Sequence, residues 1–289
     1  MNFLNSVKRI CLPFVSILIL TISTSAIPSP TPSDTMPRHS SAKVQLICLD
    51  AGHGGHDTGA VGRRSKEKDV ALDVVLKLGK RIEEGLPGVK VIYTRTTDVY
   101  PKLYERPALA NRHKADLFIS VHCNSADRDV RRKNNKGRYY STVQRNPSVR
   151  GTETLVCGIN RMNEQDVAIR ENASILLEEN YEENYNGFDP KDPSTYIVFK
   201  LMKRQYRDQS IRLASYMQHE FTASSRNNRG VKEQGLAVLA TAGMPAVLTE
   251  IGFISSPEEE NYMLSDEGQK EIVENLFQSI KTYKNNVDK

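Results

Sequence analysis

A single α/β domain, with a mostly parallel twisted central sheet flanked by helices, is the fold class this 289-residue sequence predicts. Three observations carry that prediction. Short apolar runs alternate with amphipathic stretches from Ser41 onward, and the first run leads into a Gly-rich turn. The run from Ala115 to Val121 is almost continuously apolar, as a strand covered on both faces must be. With 38% hydrophobic and 26% charged residues, the chain has enough apolar side chain to build a core without disulfides.

The first 41 residues stand apart. Lys8 and Arg9 precede an apolar stretch, Ile10 to Ile22, too short for a spanning helix, and the small residues Ser23, Ser25 and Ala26 follow it. Residues 1–26 are therefore expected to be a signal peptide, with an uncleaved membrane anchor as the competing reading. The Pro/Ser/Thr-rich residues 27–41 read as a flexible linker, and residues 42–289 as the folded domain. Export across the inner membrane follows from that reading, with no stable membrane insertion after cleavage.

Within the domain, Val44 to Leu49 is expected as a strand that leads into Asp50-Ala51-Gly52-His53-Gly54-Gly55. Glu67 to Leu86 is predicted helical, because Val70, Val74, Leu78 and Ile82 recur every four residues and Gly85 lies at its end. A strand at Val89 to Thr94, a helix at Leu103 to His113 and the strand ending at His122 come next. Two insertions are expected, at about 126–150 and 165–205. The first is a basic loop or hairpin, and Thr152 to Cys157 then returns as a strand. The second mixes a Glu-rich helical run, Glu171 to Asn184, with the turn-rich Gly187 to Pro193. Ser210 to Thr222 is expected as a helix, Gly235 to Leu239 and Ala246 to Glu250 as strands, and Ser256 to Lys284 as one or two closing helices.

Charge and cysteine usage exclude several functions. The formal +5 is local: eight Lys/Arg stand against one Asp between Arg128 and Arg150. That segment suits either an anionic wall polymer or plain solvation. No helix-turn-helix, zinc-finger or aromatic-basic surface pattern marks the chain as a nucleic-acid binder. Cys11 would leave with the signal, and Cys48, Cys123 and Cys157 sit in or beside apolar runs as small buried thiols rather than a disulfide framework. Cys123 as a nucleophile beside His122 is disfavoured, since adjacent strand residues face opposite ways.

Open α/β sheets gather their ligands at the C-terminal ends of strands. His53, His122 and Glu250 lie there, and Glu67 opens the first helix after a loop made pliable by Gly59 and Gly62. Two imidazoles and a carboxylate are the ligand set of a hydrolytic zinc site with one open position, which would leave the second carboxylate to act as base; a hydrogen-bonded structural role for each His is the competing reading. Asn124 is open to a substrate role or a structural one. Arg95 and Asp98 read as a structural pair.

The flanking motifs add a resemblance. Leu49 to Gly55 with Asp57, Gly59-Ala60 and Glu67-Lys68-Asp69, then Tyr93-Thr94-Arg95 with Asp98, then Leu103-Tyr104-Glu105-Arg106, then Ala115 to Ser125, and finally Val247 to Ser255 appear in order. Together they strongly resemble the zinc-dependent N-acetylmuramoyl-L-alanine amidases of the amidase-3 type, over roughly residues 44 to 284. The resemblance implies one zinc ion on His53, Glu67 and His122, Glu250 as catalytic carboxylate, and peptidoglycan as substrate. It also suggests that the segment with Arg170, Glu171, Glu178, Glu179, Glu182 and Glu183 is a regulatory helix, with a solvated acidic helix face as the alternative. In cell-division relatives such a helix carries an acidic side chain that plugs the zinc, and a periplasmic activator protein would relieve it. A zinc amidohydrolase of another amide and a wall-binding protein without activity are the competing readings.

Overall fold

The computed structural model describes residues 43–159, 164–201 and 205–288. The signal peptide and linker expected over residues 1–41 lie outside them. Six strands form the main sheet in the order β2-β1-β3-β8-β6-β7. These are β1 (Leu46–Ala51), β2 (Lys90–Tyr93), β3 (Leu117–Asn124), β6 (Thr152–Cys157), β7 (Asn228–Gln234) and β8 (Ala246–Phe253). Every neighbouring pair is parallel except β6 and β8. The other two strands, β4 (Arg128–Lys133) and β5 (Tyr139–Gln144), make a separate antiparallel ribbon out of the expected basic insertion.

Period-two alternation sorts the central strands into two faces. Ile47, Leu49, Leu117, Ile119, Val247 and Ile251 pack into one core, covered by α1 (Glu67–Gly85), α6 (Arg207–Ala223) and α9 (Asp266–Val287). Cys48, Phe118, Leu155 and Leu248 pack into the opposite core with Phe188, Tyr196 and Phe199. The remaining helices are α2 (Glu105–Arg112), α3 (Asp166–Asn172), α4 (Tyr181–Asn184), α5 (Ile197–Leu201), α7 (Ala237–Ala240) and α8 (Pro257–Leu264). Among the described residues, no helix is long and apolar enough to cross a membrane.

Two expectations give way. The strand expected at Gly235 to Leu239 lies beyond the end of β7 at Gln234 and runs instead into the turn of helix α7. β7 is an edge strand of polar sequence, so hydrophobicity points past it to the buried Val238 and Leu239. The continuous helix expected from Glu171 to Asn184 is broken into α3, a 3-10 turn over Ala173–Leu177 and α4. Asn180 sits in the left-handed region at φ 57°, and Glu178 is drawn inward to hydrogen-bond partners outside the segment.

Candidate metal centre

The turn after β1 is built for close approach. Gly52 lies against the His122 ring, where an added Cβ would come within 2.4 Å of it. Gly59 lies against His53 and Glu67, with a Cβ only 2.5 and 2.6 Å from their atoms and a φ of +62°. His53 itself adopts φ 58°, a left-handed conformation that costs on the order of 1 kcal/mol or more and must be held by its surroundings. Arg106 does much of that holding. Its guanidinium is 2% exposed and donates to the Ala51 carbonyl, the His53 carbonyl and Asp50 Oδ1, each at 2.9 Å. Arg95 donates to the carbonyls of Ala51, Gly52 and Lys68 at 2.7–2.9 Å, tying the turn to α1. Asp98 does not pair with Arg95. It pairs with Lys68 at 2.6 Å.

The four residues singled out from sequence meet in one buried place. Nε2 of His53 is 3.1 Å from Oε1 of Glu67, and Nδ1 of His122 is 3.0 Å from the same oxygen. Glu67 is the first residue of α1, where the helix dipole favours a carboxylate. It accepts from the amides of Ala60 at 2.8 Å and Cys123 at 2.9 Å, which fixes its orientation. His53 presents Nε2 inward because its Nδ1 faces Asp57 Oδ2 at 2.8 Å, an arrangement that fixes the tautomer of a metal-binding imidazole. Glu250 on β8 is in direct register with His122 on β3, so period two places both side chains on the same face. Cys123 points the other way into the core, and burial pushes its thiol well up, so it offers no thiolate at neutral pH. Asn124 donates to Glu153 at 2.6 Å, a structural partner that Arg229 and Lys232 also pair.

A fifth residue completes the cluster. Glu171, on α3, reaches Nδ1 of His122 at 2.9 Å and Nε2 of His53 at 3.2 Å. His53, Glu67, His122 and Glu171 each place one ligand atom within 4.8 Å of the others, all buried. The donors fit a divalent cation better than they fit one another. His53 Nε2 and Glu171 Oε2, both in that group, are buried without a well-formed hydrogen bond, the pattern of lone pairs left for an ion, and Glu250 Oε2 is also buried without one. Arg170, next in the chain, donates to Glu171 at 3.0 Å, to Glu250 at 3.2 Å and to the Ser125 carbonyl at 3.1 Å.

The electrostatics express this crowding. Burial lowers an imidazole pKa, but the Glu67 carboxylate, the hydrogen bond that His53 donates to Asp57 and the nearby Glu171 carboxylate outweigh it and hold His53 well above 6.5. The same contest lifts His122 to about 9, with Glu171 the main opponent of burial. Burial raises Glu67, yet the charge of His53 and hydrogen bonds from both imidazoles bring it down to about 2. Glu250 goes the opposite way: burial and the Glu171 charge push it well up, and Arg170 only partly offsets them. The space remaining beside the cluster is about 10 Å³, lined by Asp50, Asp57, Leu103, Arg106 and Ser174 among others. That is the volume of roughly one water.

Glu171 is held in place from two sides. Asn172 donates to the Gly235 carbonyl at 2.7 Å and accepts from the Ala237 amide at 2.9 Å. Glu178 Oε1 accepts from the Tyr100 hydroxyl at 3.0 Å, the Leu103 amide at 3.1 Å and the Tyr185 hydroxyl at 2.9 Å.

Comparison with known proteins identifies the architecture. The family model described as N-acetylmuramoyl-L-alanine amidase matches residues 47–282. The amidase AmiC of Escherichia coli O6:H1 is 30% identical over 244 residues, 82% of this chain and 52% of that protein. The chain thus spans about half the length of that relative. AmiA of Escherichia coli K12 is 27% identical over 241 residues, covering 83% of this chain and 76% of AmiA. The fold is shared with the crystal structure of an N-acetylmuramoyl-L-alanine amidase from Clostridium difficile 630, at TM-score 0.58 and 24% identity over 84% of this chain and 97% of that one. A match over most of the domain, on the fold that carries this cluster, means that the chain belongs to the N-acetylmuramoyl-L-alanine amidase family.

Proposed function

We propose that this protein hydrolyses the amide between N-acetylmuramic acid and the L-alanine of the stem peptide in peptidoglycan. It would act in the periplasm, in wall remodelling or daughter-cell separation. The observation that carries the reading is the convergence of His53, Glu67 and His122 with Glu250 registered against His122 on the neighbouring strand. His53, Glu67 and His122 would hold a zinc ion, which would supply Lewis acidity toward water and the amide carbonyl. Glu250 then accepts the water proton and returns it to the leaving L-alanine nitrogen. Asp57 keeps His53 turned toward the ion, and Arg106 fixes the backbone of the ligand turn. Export rests on the signal-like residues 1–26.

We further propose that the structure is the resting form and that Glu171 is the plug. Its carboxylate lies among the ligand atoms of His53, Glu67 and His122, where it would keep water and substrate from an ion held there. Its charge also adds to burial in raising the pKa of Glu250. An activator protein that draws α3 and the segment after it away from the cluster would reopen the site.

Mass spectrometry of purified peptidoglycan after digestion tests the reaction. Stem peptides with a free L-alanine amine, absent with Glu250→Gln and with the metal-stripped protein, are expected. Deletion of Ile175 to Pro193 tests the plug. If the deleted protein stays folded and zinc-loaded without gaining activity, inhibition by this segment is wrong. If it releases no stem peptide at all, the muramyl assignment fails and the wider zinc amidohydrolase reading replaces it.

A further inference from the structure

The ribbon of β4 and β5 is not explained by anything at the metal centre. It pairs from Arg128 opposite Gln144 to Lys133 opposite Tyr139 and is closed by a turn over residues 134–138. It joins no other strand, and almost all of its residues are exposed. A two-stranded ribbon is at best marginally stable by itself, so its composition is free to answer to whatever it meets. Its root, by contrast, is fixed to the rim of the site. Arg145 donates to Asp127 at 2.6 Å and to the Val61 carbonyl at 3.0 Å, on the loop between His53 and Glu67. Ala126 donates to Ser255 just after β8, and Arg150 pairs with Glu258.

The charges divide in the same way. At the root, Arg145 and Arg150 have carboxylate partners. From Arg128 to Arg138 there are six cations, Arg128, Arg131, Arg132, Lys133, Lys136 and Arg138, against Asp129 alone, and none forms an ion pair among the described residues. Tyr139 and Tyr140 are 58% and 50% exposed. Period two puts them on opposite faces, Tyr140 with Arg128 and Arg132, Tyr139 with Arg131 and Lys133. The Arg131 guanidinium lies 4.3 Å from the centre of the Tyr139 ring.

This distribution separates the candidate ligands. A bilayer surface selects one apolar face opposite one charged face, whereas this ribbon is basic and aromatic on both. A phosphate polymer needs cations but gives no reason to expose two tyrosines. A polymer of sugar rings bearing peptide carboxylates needs both, since ring faces stack on tyrosine and carboxylates pair with arginine. We propose that the ribbon is a second binding site for the glycan-peptide polymer, gripping it outside the bond that is cut. This rests on the muramyl reading above. Six residues of strand reach about 20 Å, so the contacts fall on polymer remote from the metal. They contribute to engagement of the intact wall, not to hydrolysis of a single repeat.

The test uses an arm variant of the full chain, Arg131→Ser, Arg132→Ser, Lys133→Ser, Tyr139→Ser and Tyr140→Ser together. Binding is read by co-sedimentation with purified wall in a Glu250→Gln background, and hydrolysis of a soluble muramyl-peptide monomer is read in a Glu171→Ala background. The expected result is a roughly tenfold or greater loss of wall binding, with loss of its salt dependence, while monomer hydrolysis and thermal midpoint are unchanged. Equal sedimentation of the intact and variant arms overturns the proposal. So does a difference seen only on walls that retain phosphate polymers, or only on phosphatidylglycerol vesicles. Failure of the monomer to be cut with the arm intact counts against the muramyl reading, and the sedimentation result is read separately from it.

Discussion

Oε2 of Glu171 stands 2.9 Å from Nδ1 of His122, although 49 residues and three strands' worth of chain topology separate the two side chains. Both are buried, and the contact brings Glu171 into the cluster with His53 and Glu67.

Removing that carboxylate is expected to activate the enzyme. Glu171→Ala should raise stem-peptide release by about tenfold or more, if the plugged form dominates the resting population by that factor. Initial rates on purified wall decide it, and a rate equal to or below the parent's rules out the plug.

If Glu171 is the plug, Glu178 is expected to be its latch, because it ties the end of the 3-10 turn to both Tyr100 and Leu103. Glu178→Ala leaves the buried Leu103 amide unpaired, a cost of about 1–3 kcal/mol. Hydrogen exchange should quicken over residues 173–186 while α1 and β3 stay protected, and activity should rise. Unchanged exchange would show that the latch lies elsewhere.

Asp57 orients His53 and should matter to the ion more than to the fold. Asp57→Ala is expected to weaken zinc affinity by about 10–100-fold, measured by competition with a chromophoric chelator. The unfolding midpoint of the metal-free protein should move little.

Asp50 and Arg106 give a pH signature. Burial by itself raises the Asp50 pKa, but Arg106 and hydrogen bonds from Ser120 and Thr94 bring it below the ordinary 3.8. A depressed carboxylate stabilises the fold above its unfolded pKa and loses that contribution as pH falls through the folded value. Arg106→Met strands a buried charge and should cost about 3–5 kcal/mol at neutral pH. The gap should narrow on acidification, because the variant's Asp50, left with burial and without Arg106, takes up its proton at a higher pH than the parent's, and the parent loses its own contribution below 3.8. Denaturant unfolding from pH 3 to 7 checks the sign, and a gap that widens on acidification contradicts it.

The parts of the fold written in hydrophobic period were legible from sequence, and those held by polar contacts were not. α1 and β6 stand where their apolar spacing places them. β7, with the sequence Asn-Arg-Gly-Val-Lys-Glu-Gln, carries no such signal because an edge strand is half solvated. At the site, His53, His122 and Glu250 could be found because strand ends are where an open sheet collects its polar groups, and the structure brings them together with Glu67. The part played by Glu171 could not be singled out among the neighbouring acids. Its position depends on Asn172 meeting Gly235 and Ala237, contacts made across more than sixty residues of sequence. Arg106 was visible in a motif, but only its reach to Asp50 and the His53 carbonyl gives it a reason to be there.

The four-donor arrangement of His53, Glu67, His122 and Glu171 also bears on how such an enzyme could be kept in store. An ion with every position filled by the chain is bound as structural zinc is bound, sheltered from chelators and from exchange with other cations. Withdrawal of Glu171 gives up that shelter in return for reactivity. The dormant protein would then be the better custodian of its metal, and each act of switching on would start a period in which the ion can be lost.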